Sequence, residues 1–175
     1  MGAVETFEAP KRPRIAFNGP ERVQLDAWLD FYRATVLEKC DGLNAAQLKE
    51  RPVASSNLSL LGIVRHMTFV EQVWFEKRFA GRDTADYYKT EGDRDSDFND
   101  LDDTALEDVF VLFARATEVS REVAKGHDLD EKVAKVTRGR DVDLRWILIH
   151  MIEEYARHCG HADLIRELID GATGY

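Results

Sequence analysis

The sequence predicts an all-α protein, an antiparallel four-helix bundle, on the basis of three observations. Four long segments repeat apolar residues every three or four positions, which is the period of an amphipathic helix. Capping residues and glycines bound these segments. No segment has a confident strand pattern, so the apolar faces are expected to pack helix on helix. The predicted long helices cover residues 22–40, 59–80, 104–125 and 144–169.

Local signals set the boundaries of these helices. Side chains that can accept a hydrogen bond from a first helical turn precede a short turn at 44–49 and the last three long helices: Asn44, Ser59, Thr104 and Asp143. Glycines that can adopt the left-handed conformation follow the long helices: Gly42, Gly81, Gly126 and Gly171. The order of elements is therefore predicted before any long-range contact is considered.

The segments between the helices differ in character. Residues 1–20 contain three prolines and no periodicity, so an extended or partly disordered segment is expected before a single domain at 21–175. Residues 83–103 carry nine acids and two bases and are predicted to form a long, solvated acidic loop between the second and third long helices. Their likeness to a calcium loop fails because Phe98 and Thr104 stand where glycine and glutamate are required. Residues 131–142 predict a short hairpin or an irregular connection.

Composition narrows the function. The net charge of −9 argues against nucleic acid as a partner, because phosphate binding needs a basic surface. No apolar run approaches the ~20 residues of a membrane span, and residues 1–20 lack the apolar stretch of a secretory signal. Cys40 and Cys159 form no CxxC pattern, and reduced thiols agree with the cytoplasmic location expected here.

The last long helix carries ionisable residues on its apolar face. At ~100° per residue, one narrow face holds Ile147, Met151, Glu154, His158, His161 and Ile165. A buried carboxylate or imidazole is costly unless it is paired, hydrogen-bonded or bound to a metal. Taken singly, Glu154 could instead pair with Arg157 or Arg145, and His161 could be an ordinary helix residue.

The same reasoning applies to His66 of the second long helix, which lies between Ile63 and Val70. Facing helices of a bundle bring ligands together in its core. We therefore predict a metal site formed by His66, Glu154 and His158. This donor set suits zinc first, with nickel or ferrous iron as alternatives, and leaves coordination positions open. A hydrogen-bonded core histidine is the alternative interpretation of His66.

Three stretches resemble a known family. Residues 27–35 (AWLDFYRAT), 60–67 (LLGIVRHM) and, most specifically, 144–164 (LRWILIHMIEEYARHCGHADL) are similar to a branch of the DinB-like superfamily typified by an actinobacterial mini-circle protein. The resemblance runs from about residue 21 to 174. It implies a four-helix bundle, often dimeric, and a divalent metal at positions that match His66, Glu154 and His158. Many relatives have histidine where this chain has Glu154, although thiol-dependent isomerases of the superfamily have glutamate.

The resemblance leaves two functional interpretations open. Characterised relatives are metal-dependent transferases or isomerases that use a low-molecular-weight thiol, mycothiol or bacillithiol. An enzyme of this kind would act on a small-molecule substrate, with His161 or His150 as a proton shuttle and the metal activating the thiol. Local bases such as Arg65 or Arg157 would help to bind an anionic thiol. The alternative is a non-catalytic, metal-stabilised bundle with a stress or accessory role. A homodimer is compatible with either interpretation.

Overall fold

The helices of the chain follow the predicted order. The computed structural model describes residues 6–99, 101 and 103–174, and over these residues β-structure is confined to isolated bridges. We number the helices in chain order as α1 (Glu21–Glu38), α2 (Ala45–Lys49), α3 (Leu60–Glu71), α4 (Leu106–Ala124) and α5 (Leu144–Asp170). The all-helical prediction is confirmed.

Most of the predicted caps are present. The side chains of Asn44, Ser59 and Asp143 each accept a hydrogen bond from the first turn of the helix that follows. The cap predicted at Thr104 is wrong. The backbone N–H of Thr104 instead closes a turn onto the carbonyl of Leu101, at 3.1 Å, so the helical backbone starts only at Leu106.

The second half of the second long helix is not α-helical. α3 continues without a break into a π-helix over Gln72–Phe79, in which the N–H of Ala80 bonds to the carbonyl of Phe75 at 2.9 Å. The wider turn buries five of its eight residues, Gln72 and Glu76 among them. π-Helical segments are rare and frequently lie at functional sites. This π-helix places the Gln72 side chain against the segment that follows it.

The core lies between the long helices. α1 packs on α5, α3 packs on α4 and α5, and the π-helix packs on α4. Large side chains with almost no exposure come from several elements: Leu29, Ile63, Met67, Phe75, Phe113, Ile147 and Tyr155. Trp28 of α1 is 41% exposed. In the part of the chain described, no helix has the length and apolarity needed to cross a membrane.

The segment before α1 is attached to the rest of the protein. The Phe7 ring stacks on Phe110 with centroids 3.6 Å apart. Its backbone exchanges hydrogen bonds with Gly42 and Leu43. These contacts tie residues 6–9 to the end of α1 and to α4. Residues 1–5, for which partial disorder was expected, lie outside the described residues.

The acidic segment between the π-helix and α4 departs from the prediction. Many of its charged residues are exposed, but Ser96, Asp97, Phe98 and Leu101 are buried. The prediction of a solvated loop is therefore wrong for this part. The physical reason is the aromatic ring of Phe98, which packs on α3 and brings its neighbours down with it. Asp100 and Asp102 lie outside the described residues.

Candidate metal centre

Two packed helices bring His66, Glu154 and His158 together. His66 lies in α3, and the other two lie one turn apart in α5. One potential ligand atom from each lies within 4.8 Å of the other two. The His66 and His158 ring centroids are 4.7 Å apart. The three residues predicted from helical periodicity are thus neighbours across the contact between α3 and α5.

The spacing within this cluster is compatible with a shared metal ion. Glu154 Oε2 and His158 Nε2 are 3.8 Å apart, too far for a hydrogen bond. Two tetrahedral ligands that each lie about 2.0–2.1 Å from one zinc ion are separated by about 3.4 Å. The two side chains therefore need only a small adjustment to share an ion.

The electrostatics of His158 suit a ligand. Burial is the main cause that lowers the pKa of His158 to about 3, and the nearby charges of His66 and His161 add to it. The imidazole is therefore neutral at physiological pH and has a lone pair available. Its Nδ1 is buried without a hydrogen-bond partner among the described residues. A neutral imidazole of this kind can donate the lone pair of its Nε2, the nitrogen that faces Glu154, to a cation.

His66 is held from behind by the acidic segment. Its Nδ1 lies 2.7 Å from Oδ2 of Asp97, which is only 1% exposed. The other oxygen of Asp97 accepts a hydrogen bond from Lys89 at 2.8 Å. Burial alone would raise the pKa of Asp97, but the hydrogen bonds from His66 and Lys89 outweigh it and the pKa is lowered. Asp97 is thus an ionised acceptor. Asp97 lies in the run that was predicted to be solvated, so its contact with His66 was not predicted.

The acidic segment is fixed on α3 by further contacts. Arg65 donates to the carbonyls of Ser96 and Asn99 at 3.1 and 2.9 Å, and its guanidinium lies over the Tyr88 ring. Phe98 stacks on His66 with centroids 4.9 Å apart. Arg65 is buried and engaged in these contacts, so the suggestion that it binds an anionic thiol is not supported.

The other two histidines of α5 lie on either side of the cluster. The His161 ring contacts His158 edge to face at 5.3 Å, and its buried Nδ1 has no hydrogen-bond partner among the described residues. His150 lies against the rings of Trp74 and Trp146. Its Nε2 is 3.5 Å from Glu154 Oε1, so the Glu154 carboxylate lies between two imidazoles.

A second group of potential ligands shares Glu154. His150 Nδ1 lies 3.4 Å from Glu153 Oε2, and one ligand atom each from His150, Glu153 and Glu154 fall within 4.8 Å of one another. Glu153 also forms an ion pair with Arg157 and is exposed. We therefore place the candidate centre at the more buried group that contains His66.

The alternative partners considered for Glu154 have partners of their own. Arg157 pairs with Glu153, and Arg145 pairs with Glu21 and Asp130. The described contacts of the Glu154 carboxylate are to His150 and His158. Among the described residues, the Glu154 carboxylate thus has imidazoles rather than an arginine as its neighbours.

A second polar cluster lies in the core and was not predicted. Arg33 of α1 donates two hydrogen bonds of 2.8 Å to the Glu71 carboxylate, and the Tyr155 hydroxyl donates a third at 2.7 Å. Although burial opposes its charge, the Glu71 carboxylate raises the pKa of Arg33. Burial and the same carboxylate raise the pKa of Tyr155. The only signal in the sequence was a set of polar residues inside otherwise apolar helices.

Fold and site together define an all-helical protein with a candidate divalent-metal centre of two imidazoles and one carboxylate. The sequence model of the mycothiol-S-transferase family matches residues 24–171. This span is most of the chain, and the protein belongs to the mycothiol S-transferase family, within the DinB-like superfamily. No curated protein matches the chain significantly.

Proposed function

We propose that the protein is a metal-dependent S-transferase that uses mycothiol, and that His66, Glu154 and His158 hold its divalent metal. The observation that carries the proposal is the convergence of these three side chains in a chain of the mycothiol S-transferase family. We propose further that the four long helices form the antiparallel bundle expected from the sequence. The contacts of α1 with α5, and of α3 with α4 and α5, support that arrangement.

The donor set supports zinc as the metal. Two neutral imidazoles and one carboxylate are ligands that zinc accepts, and three protein ligands leave a position for a substrate, as in catalytic zinc sites. Nickel and ferrous iron accept the same donors. The burial and low pKa of His158 agree with a neutral imidazole that can donate a lone pair to a cation.

A divalent metal at this position would lower the pKa of a thiol that reaches it, which supplies a thiolate at neutral pH. The residues of the chain would do the rest. Asp97 keeps the His66 ring in place through a hydrogen bond with Nδ1 of that ring. Phe98 lies 4.9 Å from the His66 ring and 6.4 Å from the His158 ring, and so covers both imidazoles on one side.

The proton released by the thiol needs an acceptor. We propose His161 or His150 for this role. Two observations support His161: its ring contacts His158, and its Nδ1 has no hydrogen-bond partner among the described residues. His150 is supported by its Nε2, which lies 3.5 Å from the Glu154 carboxylate, and by the two tryptophan rings that fix it. The thiolate sulfur would then attack an electrophilic substrate, and the leaving group would take up the proton.

Metal content and a thiol titration test the proposal. Replacing His66 or His158 by alanine should sharply lower the metal content of the purified protein. His127 serves as the matched control, because it is an exposed histidine that pairs with Glu131. The His127→Ala variant should keep its metal. Stoichiometric metal in a His66→Ala, His158→Ala double variant would place the ligands elsewhere.

The second half of the test uses cobalt in place of the natural metal. Mycothiol added to the cobalt protein should produce a thiolate-to-metal charge-transfer band, and His158→Ala should abolish it. Bacillithiol distinguishes a specific mycothiol site from a general thiol site. If neither thiol changes the spectrum, the transferase proposal fails and a metal-stabilised helical protein without thiol chemistry remains.

A further inference from the structure

The acidic segment contacts the candidate metal centre through the Phe98 ring and through one carboxylate, that of Asp97. Asp97 is 1% exposed and lies between His66 and Lys89. Its Oδ2 is 2.7 Å from His66 Nδ1, and its Oδ1 is 2.8 Å from Lys89 Nζ. Asp97 is separated from His66 by more than two dozen residues. The chain therefore folds back over α3 to bring this carboxylate behind the histidine.

We propose that Asp97 is a positioning residue for His66, and that metal binding is coupled to the docking of residues 84–99 on α3. The proposal rests on the metal site proposed above. An ionised carboxylate can only accept hydrogen bonds, so the proton of a neutral His66 ring is kept on Nδ1. The lone pair is then on Nε2, the nitrogen that points away from Asp97. Carboxylates behind metal-binding histidines fix the tautomer and orientation of the ring in this way.

The segment is docked by contacts independent of any ligand. The Gln72 side chain donates to the Ala85 carbonyl at 2.8 Å and accepts from the Tyr87 N–H at 2.9 Å. Lys89, besides its bond to Asp97, donates to the Arg94 carbonyl and lies over the Phe69 ring. These contacts anchor the segment at the π-helix, in its middle and on α3. Asp97 is therefore positioned by the whole segment.

Coupling follows from this arrangement. If docking of the segment raises the affinity of His66 for a metal, the metal must stabilise the docked segment by the same factor. Loss of a carboxylate behind a metal-binding histidine typically lowers metal affinity about 10- to 100-fold. The same change should remove most of the protection that the metal gives to the segment.

The test compares Asp97→Asn with Asp95→Asn. Both remove one negative charge from the same segment and keep the side-chain size, but Asp95 is exposed. Zinc and cobalt affinities are measured by competition with a chelator. Asp97→Asn should weaken binding about 10- to 100-fold, and Asp95→Asn should leave it nearly unchanged. Lys89→Gln removes the other partner of Asp97 and leaves His66, His158 and Asp97 intact. It should therefore lower the metal affinity less than Asp97→Asn does.

Backbone hydrogen exchange supplies the second readout. Metal should slow exchange in residues 84–99 of the wild-type protein and of Asp95→Asn, and this effect should be lost in Asp97→Asn. Equal affinities for Asp97→Asn and Asp95→Asn, or a segment whose exchange ignores the metal, would overturn the coupling. A wild-type protein that binds no metal, or a His66→Ala variant that binds it normally, would overturn the proposed metal site as well. The two failures are thus distinguishable.

Discussion

Replacing Tyr155 by phenylalanine removes one hydroxyl from the buried cluster of Arg33, Glu71 and Tyr155. The side chains of Glu71 and Arg33 are 0% and 6% exposed, and Tyr155 is also fully buried. The hydroxyl donates to Glu71 Oε1 at 2.7 Å. The change leaves the aromatic ring and the Arg33–Glu71 pair in place. It therefore isolates one hydrogen bond to a buried charge.

The expected cost follows from that geometry. A hydrogen bond to a charged group contributes about 1.5–3 kcal/mol. Water cannot readily replace the hydroxyl, because the carboxylate is fully buried. For a chain of 175 residues, each 1 kcal/mol lowers the melting temperature by about 2–4 °C. Tyr155→Phe should therefore melt about 3–12 °C below the wild-type protein.

Urea and thermal unfolding measure this cost, with Tyr87→Phe as the control. Tyr87 is half-buried, and its hydroxyl bonds to no described residue, so its loss should change stability little. An Arg33→Met or Glu71→Gln change should cost more, about 3–5 kcal/mol, because each leaves a buried partner without its charge. The double variant should cost less than the sum of the two. A Tyr155→Phe protein as stable as Tyr87→Phe would refute the argument.

Two further predictions concern packed thiols and a close helix contact. Burial is the main cause that raises the pKa of both Cys40 and Cys159 to about 12. Neither thiol should therefore react with iodoacetamide at pH 8 in the native state, and both should react in urea. Rapid alkylation of the folded protein would contradict this. Gly62→Ala should destabilise the protein, because the added Cβ would lie 3.0 Å from Ser59 Oγ and 3.1 Å from Phe98 Cδ1; an unchanged melting temperature would contradict it.

The helices and their order could be predicted because their signals are local. The periods of apolar residues, and caps such as Ser59 and Asp143, depend on residues a few positions apart. The π-helix over Gln72–Phe79 could not be predicted, because the apolar period of so short a stretch does not distinguish π-helical from α-helical turns. The start of α4 was misplaced because Thr104 lies in a turn before the helix, and the Thr–x–x–Glu spacing alone does not show which residue is the N-cap.

The candidate site was predictable only where one helix supplies its residues. Glu154 and His158 are one turn apart, so the wheel of α5 places them on one face. Asp97 is different, because its position depends on how residues 84–99 fold back over α3. A run of acidic residues is usually exposed to solvent, but Asp97 within this run is buried. The useful signal was Phe98, an aromatic residue within a run of acids.

Two polar clusters lie along the contact between α3 and α5. His66 meets Glu154 and His158 at one point of this contact, and Glu71 bonds to Tyr155 at another. The Glu71–Tyr155 hydrogen bond joins the two helices at a fixed point, and so opposes their sliding past one another. Tyr155 directly follows Glu154 in the chain, so any movement of the bonded tyrosine also moves the carboxylate. The buried Arg33–Glu71–Tyr155 cluster therefore restrains the geometry of the candidate metal centre without contacting it.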